Sequence, residues 1–195
     1  MKTLLPYLLL LFCFAGCSRN KETGINKNFP QAKFVEYTID KGAHYCRGNE
    51  FKPLDLPEMK FIVRFDSTAI YENSFPENQY DINKLFGFSD NGATHHEYSA
   101  RFGWRWSEGA LRLFAYVYNE GMLSSAEIGI IPIGAEISCS IKPLASKYIF
   151  TVEGNVMEMP RKSSTVNAKG YQLYPYFGGD ELAPHQINIW IETVE

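Results

Sequence analysis

The amino-acid sequence predicts an all-β protein built as an antiparallel β-sandwich. Short segments that alternate apolar and polar residues recur along the chain, Gly, Pro and Asn punctuate them, and no stretch sustains a helical period. Many short strands with such punctuation describe a sandwich or a barrel. The aromatic share of 15% fits either a densely packed β core or aromatic platforms at the surface.

The elements follow in chain order. Residues 33–39 form the first candidate strand. Residues 59–65 alternate, with Phe61, Val63 and Phe65 on one face. Residues 71–100 break the pattern. They are rich in Asn, Asp, His and Ser, with an apolar patch at Leu85-Phe86-Gly87-Phe88, and read as either a long functional loop or two weak strands. Residues 102–106 and 111–118 alternate, and 127–133 are an apolar run closed by Pro132. Residues 148–153 and 156–159 flank Gly154-Asn155, a two-residue hairpin turn. Residues 186–192 place Ile187, Ile189 and Ile191 in register.

The first residues bear on where the domain works. Lys2 precedes an apolar run over residues 4–14, which is shorter than the roughly 20 residues a bilayer needs and has the length of a signal-peptide core. The run closes with Phe14-Ala15-Gly16-Cys17. That ending resembles the lipobox of bacterial lipoproteins. The resemblance implies cleavage after residue 16, acylation of Cys17 and a lipid-anchored place in the bacterial cell envelope, at the outer membrane. More than one acyl chain is needed for stable anchoring. Residues 17–32 are polar and turn-rich, as a flexible tether would be, and residues 33–195 form a single domain, expected to be a monomer. With 19 Lys and Arg against 22 Asp and Glu, the chain lacks the basic face that nucleic acid requires. Beyond Cys13 and Cys17, Cys46 and Cys139 remain. They either pair as a disulfide, which an oxidising compartment would preserve, or sit as small buried thiols. There is no Cys-x-x-Cys and no Cys/His metal spacing.

Residues 101–118 contain the most information. Ser107-Glu108-Gly109-Ala110 reads as a turn. An even-length loop opposes Arg105 to Arg112, Gly103 to Phe114 and Arg101 to Tyr116, and opposed residues share a sheet face. One face then carries Phe102, Trp104, Trp106, Leu111, Leu113, Ala115 and Val117. The other carries Arg101, Arg105, Arg112, Phe114, Tyr116 and Tyr118, with Gly103 as a gap. An odd loop would mix both faces, so the binary pattern selects the register. Arg forks bind carboxylates and aromatic rings stack on the C–H faces of sugars, so this second face suits an acidic polysaccharide. Its alternative is a solvated surface on which Arg lies over aromatic rings. Arg105 opposite Arg112 favours a bound anion, because opposed like charges are unfavourable unless a carboxylate lies between them.

Two further clusters carry possible chemistry. Thr94-His95-His96-Glu97 reads as a polar loop near the Arg face, where His95 or His96 is available as a general base. Tyr174 to His185 contains Gly178-Gly179, which suggests a tight turn or bulge, followed by Asp180 and Glu181. These two carboxylates are candidates for Ca²⁺, the only cofactor the sequence suggests, although that ion wants several oxygen ligands.

Three stretches together bring a family into view: Ala100-Arg101-Phe102-Gly103-Trp104-Arg105-Trp106 leading into residues 111–118, then Lys147-Tyr148-Ile149-Phe150-Thr151-Val152-Glu153-Gly154-Asn155, then Tyr176-Phe177-Gly178-Gly179-Asp180 before Ala183-Pro184. Their order resembles the concanavalin A-like jelly rolls, particularly polysaccharide lyases of the alginate- and glucuronan-cleaving kind. The resemblance implies a concave sheet that holds glycan. It also implies a mechanism in which Arg101, Arg105 or Arg112 neutralises a uronate carboxylate, Tyr116 or Tyr118 removes the C5 proton, and His95 or His96 assists. The Gln-x-His and Tyr-x-Lys-x-Gly-x-Tyr stretches that many such lyases carry do not occur in this sequence.

Three functions follow. A carbohydrate-binding lipoprotein for acidic polysaccharide ranks first, a polysaccharide lyase second, and a structural or protein-interaction lipoprotein third. A walled groove with a Tyr hydroxyl near an Arg favours the enzyme, a shallow exposed platform favours the binder, and a face covered by residues 71–100 favours the structural role.

Overall fold

The computed structural model of the protein describes residues 33–194. The signal peptide, Cys17 and the whole of the tether expected from the sequence lie outside the described residues. The strands are β1 (Val35–Ile39), β2 (Pro53–Leu56), β3 (Met59–Phe65), β4 (Asn83–Ser89), β5 (Tyr98–Ser107), β6 (Ala110–Asn119), β7 (Met122–Ile131), β8 (Glu136–Pro143), β9 (Lys147–Val152), β10 (Asn155–Pro160), β11 (Ala168–Leu173) and β12 (Ile187–Val194). They form two six-stranded sheets, ordered β1-β12-β3-β8-β9-β10 and β2-β11-β4-β5-β6-β7, and every pairing is antiparallel.

The β5–β6 hairpin has the register the binary pattern selects: Trp104 faces Leu113, Arg105 faces Arg112 and Arg101 faces Tyr116. Glu108 and Gly109 form its turn with φ of 53° and 71°. Positive φ at both central positions is the type I′ geometry whose twist matches that of paired strands. The same Glu-Gly pair closes β6–β7 at Glu120-Gly121 and β9–β10 at Glu153-Gly154. The last corrects the expected Gly154-Asn155 turn by one residue. Asn155 already pairs with Val152, because Glu153 tolerates the left-handed conformation that had been assigned to a Gly-Asn pair.

Between the sheets, Phe102, Trp104, Leu111, Leu113, Ala115 and Val117 are buried, while Trp106, near the strand end, is half-buried against the same core. Opposite them pack Phe61, Phe65, Phe150 and Ile189. Phe102 meets Phe61 and Phe150 edge-on, with centroids 5.6 and 5.1 Å away, the arrangement that ring quadrupoles favour. Cys46 and Cys139 are both free and buried, which rules out the disulfide alternative. Cys46 bridges to Ile39 beside β1, whereas Cys139 lies on β8, several strands away across the sheet. At about 4.8 Å per strand that separation exceeds the ~7 Å Cα limit for a disulfide. Both thiols serve as small apolar groups, and burial pushes Cys46 up to about 12.

Residues 71–100 are neither wholly loop nor two weak strands. They hold a 3-10 turn (Pro76–Tyr80), all of β4 and the start of β5. Directly after β4, the Asp90 carboxylate accepts from Arg161 Nε (2.8 Å) and from Tyr148 Oη of the other sheet (2.7 Å). Both charged side chains are fully buried. Burial alone would raise the Asp90 carboxyl, but the Arg161 and Tyr148 hydrogen bonds hold it below the usual carboxylate range.

The register predicts unequal effects of truncating the two indoles. Trp104→Ala is expected to destabilise by about 3–5 kcal/mol and Trp106→Ala by less, measured by denaturant unfolding. A larger loss at 106 would reverse the assignment of which indole anchors the core.

Candidate functional site

The outer face of the second sheet carries the Arg and aromatic residues that the register places there, and the fold divides them into two groups. In the first group, Arg105 donates to Ser107 Oγ (3.1 Å) and to the Tyr80 carbonyl (2.8 Å), with its guanidinium 4.8 Å from the centre of the Phe114 ring. Arg112 binds Glu108 at 2.6 Å and Glu127 at 2.9 Å, and Phe114 is buried. The carboxylates that reconcile the opposed arginines are the protein's own. Glu127 reaches Arg112 because β7 slips by one residue between its pairings with Leu113 and Phe114.

Glu181 has a related structural task. It accepts from the Ser74 and Phe75 backbone N–H groups (2.7 and 3.0 Å) and from Asn78 Nδ2 (2.9 Å), so it pins the start of the 3-10 turn whose end covers Arg105. Asp180 is exposed. Among the described residues no three His, Cys, Asp or Glu side chains converge as a metal site.

The second group lines a cavity of about 460 Å³, within the usual size of small-molecule sites. Arg101 lies at its base and is only 7% exposed. Its guanidinium sits 5.5 Å from the Tyr116 ring centre, and the Lys84 ammonium lies 5.1 Å from the same ring. Among the described residues no carboxylate forms an ion pair with Arg101 or Lys84, and Arg101 Nε is buried without a hydrogen-bond partner. Burial lowers Arg101 to about 10. Burial and then the Arg101 charge lower Lys84 to about 8, against a smaller raising effect of the Asp81 carboxylate, and the ammonium donates to the Ile82 carbonyl at 2.7 Å.

A bulge brings these two cations to one side. Lys84 pairs with Gly103 and Gly87 with Arg101, with a register shift between them. Leu85 and Phe86 can then both enter the core, where both are fully buried, while Lys84 and Gly87 remain on the outer face. Glycine is required at 87 because a Cβ there would overlap Arg101 Cβ and the Ala100 carbonyl. Gly103, the gap in the pattern, is filled by Ile82.

The walls come from loops and from β11. Tyr118 stands beside Tyr116 (5.9 Å), His96 beside Tyr118 (5.6 Å) and His95 beside His96 (4.2 Å). The Tyr171 hydroxyl accepts the His95 backbone N–H (3.1 Å) and lies 2.9 Å from His95 Nδ1. With the imidazole in its Nε2–H tautomer, Tyr171 donates to Nδ1. Burial, then the His96 and Arg101 charges, lower His95 to about 4, so it is neutral at neutral pH. On the other wall, Lys84 and Tyr176 exchange backbone hydrogen bonds of 2.8 and 2.9 Å. His44 stacks on Tyr176 at 5.1 Å, stitching the β1–β2 loop to the 174–179 loop.

Of the residues expected from the sequence, Arg101, Tyr116, Tyr118, His95 and His96 come together around this cavity, and Arg105, Arg112 and Phe114 do not line it. Lys84 and Tyr171 were not singled out, and Tyr176 was named only as part of the 174–185 stretch. The one sequence signal for Lys84 was Gly87 inside an apolar stretch, which marks a bulge.

No protein-family model matches the chain, and no curated protein matches it. Solved structures match its fold. Alginate lyase AlyC3 superposes with a TM-score of 0.52 at 11% identity, covering 83% of this chain and 75% of that one. A GH16 protein of the Bacteroides ovatus mixed linkage glucan PUL, in complex with G4G4G3G product, gives 0.53 at 9% identity over 85% and 83%. A glycoside hydrolase family 16 endo-glucanase from Bacteroides ovatus gives 0.50 at 8% identity over 84% and 81%. The domain thus has the concanavalin-like jelly-roll fold that the sequence suggested.

The Gly87 contact yields a structural prediction. Gly87→Ala forces apart β4 and β5 beside Arg101 and is expected to destabilise by about 1–3 kcal/mol, the range for overpacking. An unchanged midpoint in denaturant unfolding would show that the bulge has room to spare.

Proposed function

We propose that the domain binds acidic, uronate-bearing polysaccharide in the Arg101 cavity, and that the lipobox-like leader holds it at the cell envelope. The observation that carries this reading is the isolation of Arg101. Arg161, equally buried, has Asp90, and Arg105 and Arg112 have partners of their own. Arg101 has burial without a counter-charge, which is unfavourable unless an anion arrives. A guanidinium fork takes a carboxylate in two parallel hydrogen bonds, Lys84 adds a second cation, and Tyr116, Tyr118, Tyr171 and Tyr176 offer ring area for sugar faces. The fold shared with an alginate lyase and two GH16 proteins supports a glycan as the ligand.

A second reading, polysaccharide lyase, is favoured by the His95–Tyr171 contact within the same cavity. In β-elimination a cation neutralises the uronate carboxylate, a base takes the C5 proton, the C4=C5 double bond forms as the C4–O bond breaks, and the leaving oxygen takes a proton from water. Tyr116 suits the base role poorly, since burial and its neighbour Tyr118 push its hydroxyl well above the usual tyrosine range. A neutral His95 hydrogen-bonded to Tyr171 suits it better, with Tyr171 passing its proton to Nδ1 as it accepts the substrate's.

Arg101→Met is expected to weaken binding of acidic oligosaccharide about 100-fold, the order of two charge-assisted hydrogen bonds, while the melting temperature stays level or rises because an uncompensated buried charge is gone. Equal affinity of variant and parent in calorimetry would overturn the proposal. The parent's affinity is expected to stay level from weak acid to pH 7.5 and to fall above about pH 8 as Lys84 loses its proton in the free protein, by at most about tenfold per pH unit. If the domain is a lyase, it releases product with unsaturated-uronate absorbance, and Tyr171→Phe abolishes that absorbance while binding survives. No such absorbance from the parent on any uronate polymer would eliminate the enzyme reading.

A further inference from the structure

The cavity is not electrostatically uniform. Its two cations, Lys84 and Arg101, both lie against the Tyr116 ring at the floor. The β1–β2 loop, which contributes Tyr45, Asn49, Glu50 and Phe51 to the lining, brings no cation. Arg47 of that loop is tied to Asp40 at 2.6 Å and does not line the cavity. The charged side chain it does supply is the exposed Glu50 carboxylate. Glu50 acts on Tyr174, whose hydroxyl is raised by burial first and by Glu50 next; the acid that acts at the Tyr116 end is Asp81, which raises Lys84 and the Tyr116 hydroxyl but does not itself line the cavity.

The same loop displays bare rings. Phe51 is 77% and Tyr45 is 65% exposed. Phe51 leans on Tyr171 with centroids 5.5 Å apart, and Tyr45 meets Tyr176 edge-on at 4.9 Å. Each ring is held by an aromatic neighbour that itself lines the cavity. Exposed aromatic rings at the lip of a pocket supply stacking area with little loss of conformational freedom.

We propose that the cavity reads two unlike sugars, a uronate at the Lys84/Arg101 floor and an uncharged sugar against Phe51 beside Glu50. The preferred ligand is therefore a polymer in which uronate alternates with uncharged residues, not a homopolyuronate. This deepens the uronate reading and rests on it. In a homopolyuronate the residue next to the floor carries a second carboxylate, which meets Glu50 with no cation among the lining residues of the loop to offset the repulsion. An uncharged neighbour meets the Phe51 ring and the Asn49 amide without that penalty.

Calorimetry with the purified protein tests the inference on four tetrasaccharides. Hyaluronan and chondroitin fragments alternate glucuronate with an uncharged N-acetylhexosamine, and tetramannuronate and tetragalacturonate do not. At least one alternating fragment is expected to bind about tenfold more tightly than either homopolymer, between the values for one like-charge contact in water and one near a protein surface. Glu50→Gln, at an exposed position that leaves the fold intact, should bring the homopolymers to within about threefold of the alternating fragment. Phe51→Ala should weaken the alternating fragment about tenfold. A parent that binds a homopolyuronate as tightly as the alternating fragments, or a preference unmoved by Glu50→Gln, overturns the two-sugar assignment and leaves the uronate site standing. Failure of all four to bind removes the uronate reading itself, and this inference with it.

Discussion

The two-residue turn at Glu108-Gly109 is the constraint on which the molecule depends. Its type I′ geometry permits one register for the β5–β6 hairpin, and side chains alternate with period two. Trp104 and Leu113 therefore point into the sandwich while Arg101 and Tyr116 point out of it. One residue more or fewer in the turn would expose the indole and bury the guanidinium in the core. Core and binding face are two consequences of the same register, and every other wall of the cavity is assembled against them.

Arg101, Arg105, Arg112 and Arg161 show how the fold separates structural from functional charge. Arg161 ties both sheets together through Asp90 and Tyr148. Arg105 is capped by the Tyr80 carbonyl, and Arg112 is clamped by two glutamates. These three have their hydrogen bonds made by the chain, so they hold the fold and have little left to offer a ligand. Arg101 keeps only the face of Tyr116. Aromatic stacking returns a small part of what desolvation takes from a guanidinium, so the position lowers stability in exchange for a preformed anion site, as functional sites commonly do.

Local pattern was legible and long-range pairing was not. Residues 59–65 were bounded in the sequence as they stand in β3, and the two faces of β5 and β6 were assigned residue by residue, because alternation and turn chemistry are properties of neighbours in sequence. The partners of Arg112 were not legible, because Glu127 comes opposite through a slip in β7 that no short window reveals. Lys84 and Tyr171 were missed for a related reason. β4 carries a bulge that lets Leu85 and Phe86 both face inward, which destroys the alternation that identifies a strand. β11 contains Gly170, which lies so close to Ser89 that no Cβ would fit. The features that shape the cavity are the ones that erase the period-two signal.

The groups around the cavity also act on one another. Arg101 depresses Lys84, and Arg101 with His96 depresses His95, in each case in addition to burial. Among the described residues Lys84 and Arg101 form no ion pair with any acid. Such a cluster is frustrated in the free protein, since each positive charge makes the next less favourable and Asp81 offsets this only in part at Lys84. One carboxylate placed over Tyr116 would act on all of these groups at once, favouring the charged Arg101, raising Lys84 back toward its ordinary value and easing the pressure on His95. The free energy released on binding therefore includes relief of repulsion among the protein's own groups as well as the new hydrogen bonds. A neutral ligand of the same shape gains nothing from that relief, so selectivity for an acid at the floor follows from the cluster as a whole.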